Sequence, residues 1–174
     1  QRERTHIVLT DTEVHANGFS TPLPYNLIYL YPVHPEENSA LDHYDDWLLT
    51  LFTHEFTHSV HIDKATGFNQ FLRTLFGRVV VPNAAQQQWG IEGLAIFEES
   101  KNTTGGRGRS WYQHMFLRSA ALEDRFITID RGTYWNDEYP FGNSAYWYGA
   151  GFYEYLAKTH GEEKIYELVD EASD

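Results

Sequence analysis

The spacing of hydrophobic residues changes from strand-like to helix-like after residue 35. Residues 5–11 (THIVLTD) form a β-branched run, and residues 26–35 (NLIYLYPVHP) form a second run that ends in prolines. Such runs predict β-strands, and a proline cannot continue a strand ladder. Residues 15–24 between them are rich in turn formers and include an Asn-Gly pair. We therefore expect a small N-terminal β-sheet, of antiparallel type.

The following segment places its apolar residues at helical spacing. Ser39 can cap a helix, with Asp42 three residues later as a partner, and Gly67 is a plausible end. Helical period is kept by Leu41, Trp47, Leu48, Leu51, Phe52 and Phe56.

Later segments repeat the helical pattern. Residues 68–77 are helical or irregular, residues 101–110 form a glycine-rich loop, and residues 126–129 could form a short strand. Helices are predicted at 89–100, 110–124, 144–161 and 162–172. The pattern predicts an α+β fold in which a small sheet precedes a mainly helical part. We expect one domain over residues 1–174.

Composition narrows the functional class. The 174 residues are 41% hydrophobic and 16% aromatic, which is too apolar for a disordered chain. A formal charge of −12 argues against nucleic acid or an anionic membrane surface as the main partner. Because cysteine is absent, any metal must be held by His, Asp or Glu.

The ends of the chain suggest a piece of a longer protein. It begins at Gln1 rather than at a methionine, and no stretch has the length of a membrane span or the pattern of a signal peptide. We expect an excised domain or a processed fragment.

The predicted first helix carries His54, Glu55 and His58 in the frame H-E-x-x-H. Residues four apart share one face of a helix, so the two imidazoles can hold one cation. Glu55 lies beside them and can act as general base toward a metal-activated water. Nine histidines make a chance match possible, and an ordinary amphipathic helix is the alternative.

Two further polar residues follow the motif. His61 is seven residues beyond His54, about 10 Å along a helix, which disfavours a shared cation. We expect it outside the coordination sphere. Asp63 could orient a ligand imidazole or could simply end the helix.

Glu92 is the best candidate for a third ligand. It lies within the apolar stretch WGIEGLAIF, where a lone carboxylate is costly to bury unless it is paired or binds a metal. Gly90 and Gly93 suggest that a second helix approaches closely there. Two histidines and one glutamate leave a position open, as catalytic zinc sites do. Glu99 shares the face of Glu92 and could support a ligand.

The pairing of HEFTH with WGIEGLA resembles the gluzincin zinc metallopeptidases. The chain is also similar to the bacterial peptidase-MA-like domains found beside β-propeller repeats, through NGFSTPLPYN, HEFTHSVHID, EGLAIFEES, GGRGRS and YWYGAGFYEYL. The resemblance implies a zincin-like fold with an active-site helix. It implies one Zn²⁺ per chain on His54, His58 and Glu92, with Glu55 as base.

The same resemblance implies several broader properties. An edge strand near residues 17–21, or its neighbour, would pair with an extended peptide substrate. An attached β-propeller and an extracytoplasmic location, periplasmic or secreted, are also implied. Related enzymes place a tyrosine or histidine from a later helix against the oxyanion. Here Tyr146 occupies the matching position, and Tyr148 is the second choice.

The loop GGRGR contributes two cations to an acidic chain. Arg107 and Arg109 could bind a substrate carboxylate, could clamp an internal acid such as Glu99, or could belong to a solvated turn.

These features together predict a zinc-dependent peptidase acting on peptide or protein substrates, and endopeptidase action is preferred over aminopeptidase action. The alternative is a zinc-binding pseudopeptidase that serves as an interaction module for an attached domain. A helical domain without metal is a further rival. Glu55 argues against the pseudopeptidase, and Glu92 argues against a helical domain without metal.

Overall fold

The structure is a computed structural model that describes residues 4–36 and 46–174. A small three-stranded sheet comes first and six α-helices follow, which confirms the predicted α+β arrangement. The strands are β1 (His6–Leu9), β2 (Asn17–Thr21) and β3 (Leu27–Tyr31). The helices are α1 (Trp47–Ile62), α2 (Gly67–Phe76), α3 (Gln88–Asn102), α4 (Trp111–Leu122), α5 (Ser144–His160) and α6 (Glu163–Ala172).

The sheet is mixed rather than antiparallel. Its strand order is β1-β3-β2, with β1 parallel to β3 and β2 antiparallel to it. The sequence pattern predicts a turn where β2 lies, because Asn-Gly is a turn signal and NGFST has few strand-forming residues. The predicted antiparallel sheet therefore lacked this strand. Asn17 instead pairs with Tyr31 in the β2–β3 ladder. β2 therefore lies at one edge of the sheet.

Helix α1 begins later and ends earlier than its pattern predicts. The side chain of Asp46 caps the helix by accepting from the backbone N–H of Leu49 at 3.0 Å. Ser39 and Asp42, the predicted capping pair, lie outside the described residues. Gly67 does not end α1 but begins α2, with a positive φ of 44°.

Helices α3 and α5 pack closely at two glycines. A Cβ on Gly93 would lie 2.3 Å from the carbonyl carbon of Gly149, so only glycine fits at this crossing. Gly93 thus admits α5 rather than the H-E-x-x-H helix, whereas Gly90 has room for a Cβ. Beside the crossing, α5 and α6 contribute Tyr153, Ile165 and Val169 to a buried cluster with Leu94.

One predicted strand is absent from the described chain, and one helix contributes little to the core. No strand forms at residues 126–129 of the described chain, and a 3₁₀ turn follows at Ile129–Arg131. Helix α2 is amphipathic, but Phe68, Phe71 and Leu75 on its apolar face are exposed. Among the described residues, no helix is long and apolar enough to cross a bilayer.

Candidate metal centre

Three buried side chains from two helices meet at one point. His54 Nε2 lies 3.0 Å from His58 Nε2 and 3.1 Å from Glu92 Oε2, and His58 Nε2 lies 3.4 Å from the same oxygen. One ligand atom from each residue falls within 4.8 Å of the other two. The group could hold a metal ion.

The helices explain this convergence. His54 and His58 are one turn apart on α1, so both rings point to the same side. Helix α3 packs against that side of α1 and brings Glu92 to the two imidazoles. All three residues are at most 8% exposed. The donor set of two imidazole nitrogens and one carboxylate oxygen fits zinc, and it leaves room for a further ligand.

Electrostatics keep Glu92 ionised. Burial alone would raise the pKa of this carboxyl, but its hydrogen bonds with His54 and His58 outweigh burial and lower the pKa far below the ordinary value. A carboxylate that stays charged in a buried place requires a nearby positive charge. Imidazolium or a bound cation can supply that charge here.

Glu99 supports the centre from the other side of His54. Its Oε2 lies 3.0 Å from His54 Nδ1, and its side chain is fully buried. Burial opposes ionisation of Glu99, but the charge of Arg107 and the hydrogen bond with His54 lower its pKa to about 2. A carboxylate at this place would hold the N–H of a metal-binding imidazole on Nδ1 and leave Nε2 free.

Glu55 lies in the same cavity without joining the three-residue group. It is 6% exposed, and burial raises the pKa of its carboxyl, although His54 and His58 oppose the shift. The cavity has a volume of about 640 Å³, and residues 16–20 of the β2 region form one wall of it. The edge strand and the acid therefore face a common space.

The two tyrosines proposed from the sequence lie in different places. Tyr146 lines the cavity, and its ring centroid is 6.5 Å from that of His54. Tyr148 instead packs in a cluster with Phe116 and Trp147, and its hydroxyl accepts from the N–H of Ile127 at 3.4 Å. The structure does not bring Tyr148 to the cavity, because two residues that are two positions apart on a helix point to nearly opposite sides.

A third tyrosine reaches the centre without a sequence signal. The Tyr134 hydroxyl donates to Glu92 Oε1, while Glu92 Oε2 faces the two histidines. The backbone N–H of Tyr134 also donates to Gln88 Oε1 at 2.6 Å. Tyr134 belongs to an irregular segment, where no periodic pattern marks which side chain turns inward.

The polar residues that follow the motif lie apart from the three-residue group. The His61 side chain is buried toward α3 and α6, beside Leu94 and Val169. Asp63 does not orient a ligand: its carboxylate pairs with Arg73 and Arg78 and accepts from Asn26. The suggestion that Asp63 supports an imidazole is therefore wrong.

Comparisons with known proteins give little functional information. No known family profile matches the chain, and no solved structure matches it significantly. It is similar to an uncharacterized protein of Treponema pallidum (strain Nichols), with 29% identity over 168 residues, which are 97% of this chain and 14% of the relative. The chain thus spans about one seventh of the length of that relative. The name of the relative assigns no activity.

Proposed function

We propose that the chain is a zinc-dependent peptidase of gluzincin type that cleaves peptide bonds in peptide or protein substrates. The observation that carries the proposal is the buried convergence of His54, His58 and Glu92 beside the acid Glu55. A purely structural metal site has no use for a buried acid at the edge of an open cavity. We infer one zinc ion per chain, held by the two histidines and Glu92.

A zinc ion bound there would supply Lewis acidity toward the scissile carbonyl. Glu55 is the proposed general base. Burial raises the pKa of the Glu55 carboxyl toward neutral pH. A base of higher pKa accepts a proton from water more readily and can still return it to the leaving amine.

Tyr146 is the proposed hydrogen-bond donor to the oxyanion. Its ring faces the same cavity as Glu55, and burial raises the pKa of its phenol to about 12. The hydroxyl therefore stays protonated at neutral pH and can donate.

The substrate is proposed to bind as an extended strand along β2. This strand is at the edge of the sheet order, and Asn17, Gly18 and Phe19 line the cavity. A sheet edge offers backbone groups to any extended peptide regardless of its side chains. An unfolded or flexible protein segment fits this mode, so we favour endopeptidase action.

The larger protein around this domain is proposed from the resemblance to the peptidase-MA-like domains found beside β-propeller repeats. The relative is about seven times longer than the matched segment, which supports a domain within a larger protein. We propose that residues 1–174 form one peptidase domain, that a β-propeller is attached, and that the protein is periplasmic or secreted.

The test is cleavage of a peptide library, read by mass spectrometry, for wild type and Glu55→Gln. We expect the variant to keep its zinc and to lose activity by about 10²–10⁴-fold, the usual contribution of a general base. Glu98→Gln is the control, since Glu98 on α3 bonds to Asn102 and Tyr166 outside the cavity. A wild-type protein that binds zinc but cleaves nothing would favour the pseudopeptidase alternative.

A further inference from the structure

Arg107 binds Glu99 through three separate hydrogen bonds. Its backbone N–H donates to Glu99 Oε1 at 2.7 Å and its Nε donates to the same oxygen at 3.0 Å. Its Nη2 donates to Glu99 Oε2 at 2.8 Å. A fork of this kind fixes the position and the plane of the carboxylate, which a single contact cannot do.

The fixed carboxylate then reaches His54. Glu99 Oε2 lies 3.0 Å from His54 Nδ1, and Arg107 Nη2 lies 2.5 Å from the same nitrogen. A guanidinium only donates, so Nη2 and an Nδ1–H cannot bond to each other; when Nδ1 carries the proton, both groups donate to Glu99 Oε2. The lone pair of His54 is then on Nε2, the nitrogen that faces His58 and Glu92.

The guanidinium of Arg107 also lies over the ring of Tyr146. The Cζ atom of Arg107 lies 5.4 Å from the centroid of the Tyr146 ring, within the range of cation–π attraction. Arg107 thus contacts both the support of a proposed ligand and the ring of the proposed oxyanion donor.

The glycines of the loop explain how Arg107 comes so close. Gly106 has a φ of 94°, and a Cβ there would lie 2.4 Å from the Cα of Ser100. The N–H of Gly108 donates to Ser100 Oγ at 2.9 Å. The loop therefore lies directly on α3 and presents the backbone N–H of Arg107 to Glu99.

We propose that Arg107 is a positioning residue of the metal centre, acting through Glu99 to hold the His54 ring and through its own face to hold the Tyr146 ring. The inference rests on the proposed function, because it concerns the zinc ligands named there. It assigns the GGRGR motif a role inside the centre rather than in substrate binding or in a solvated turn.

The test measures zinc affinity by competition with a fluorescent chelator, independently of cleavage. Arg107→Lys keeps the positive charge and removes the fork, and we expect it to weaken zinc binding by about 10-fold or more, as loss of an outer partner does. Arg109→Lys is the matched control in the same loop. In the described part of the chain the Arg109 guanidinium donates a hydrogen bond to the carbonyl of Thr104 and none to the centre, so the zinc affinity of this variant should stay within about twofold of wild type.

A double variant tests the route through Glu99. If Arg107 acts on His54 by way of this carboxylate, Arg107→Lys should cost little further affinity in a Glu99→Gln background. Unchanged affinity in Arg107→Lys, an equal loss in Arg109→Lys, or additive losses in the double variant would each overturn the inference. A wild-type chain that binds no zinc would overturn the proposed function and this inference with it.

Discussion

At the scale of single residues, one connected set of buried polar groups dominates the molecule. His54 contacts His58, Glu92 and Glu99, and each contact is 3.0–3.1 Å long. Burying such groups is costly unless every member has a partner, so the set is sensitive to any single loss. Substitutions at the centre should mainly lower activity, whereas substitutions of buried residues away from it should mainly lower stability.

The pair Tyr146 and Tyr148 offers a direct comparison. Tyr146→Phe removes the proposed oxyanion donor and should lower kcat by about 10²-fold or more, with little change in KM. Tyr148→Phe should leave kcat unchanged and cost about 0.5–1.5 kcal/mol of unfolding free energy, the net value of one hydrogen bond. Steady-state kinetics and urea denaturation measure the two effects. Equal losses of kcat in both variants would contradict the assignment.

His61 should make stability depend on pH. Burial lowers its pKa from 6.5 to about 4, so between these values the unfolded chain binds a proton that the folded chain does not. Stability due to this group is therefore full above pH 6.5 and falls as the pH drops toward 4, by up to about 3 kcal/mol.

The measurement is urea denaturation in the presence of chelator at pH 7.5 and pH 5.0. Wild type should lose stability relative to His61→Leu at the lower pH, since leucine does not titrate. Parallel losses in both proteins would show that His61 is protonated in the folded state.

The sequence predicts some of these residues and not others, for a physical reason. Glu92 is conspicuous because it is a lone acid among apolar helical positions, and the histidines are fixed by helical spacing. Tyr134 and the Arg107–Glu99 fork depend on where irregular segments turn, which periodicity does not encode. The three ligand candidates on helices were therefore predictable, whereas Tyr134 has no signal in the sequence and the Arg107–Glu99 contact was one of three alternatives for its loop.

At the scale of elements, the position of α3 decides whether a site exists. This helix carries Glu92 and Glu99 toward α1 on one side and packs its glycine face against α5 on the other. The helical pattern predicted α3 within two residues at each end, but the identity of its neighbours depends on tertiary packing. The mixed pairing of β1, β2 and β3 is likewise a tertiary property that short runs do not reveal.

Two glycines of α3 should respond oppositely to alanine. Gly93→Ala places a methyl group 2.3 Å from the backbone of Gly149 and should destabilise the fold by about 2 kcal/mol or more. At Gly90 the nearest atoms to such a methyl group lie at 3.5 Å and 3.9 Å. Gly90→Ala should therefore be neutral or stabilise the helix by up to about 1 kcal/mol. Chemical denaturation checks both, and a harmless Gly93→Ala would contradict the close crossing.

At the scale of the whole molecule, the candidate metal centre joins elements that are far apart in sequence. Ligand candidates come from α1 and α3, their support comes from the GGRGR loop, and a cavity wall comes from the N-terminal sheet. Any ligand that binds only the folded chain adds to its stability. Metal binding should therefore affect the cooperative unfolding of the molecule as well as its chemistry.

Removal of metal should lower the melting temperature. Zinc at 100 times its Kd stabilises the folded state by about 2.7 kcal/mol, which corresponds to roughly 5–10 °C for a chain of this size. Differential scanning calorimetry with zinc and with chelator measures the change. His58→Ala should show no zinc-dependent shift, and a shift of wild-type size in that variant would place the bound metal elsewhere.

The metal content of the purified protein, measured by mass spectrometry for three chains in parallel, tests the central claim most directly. Wild type and His61→Leu should each carry about one zinc per chain, whereas His58→Ala should carry almost none. The contrast between His58 and His61 separates a defined site from a generally histidine-rich helix. Absence of stoichiometric metal in wild type, or equal loss in both variants, would contradict a centre built from His54, His58 and Glu92.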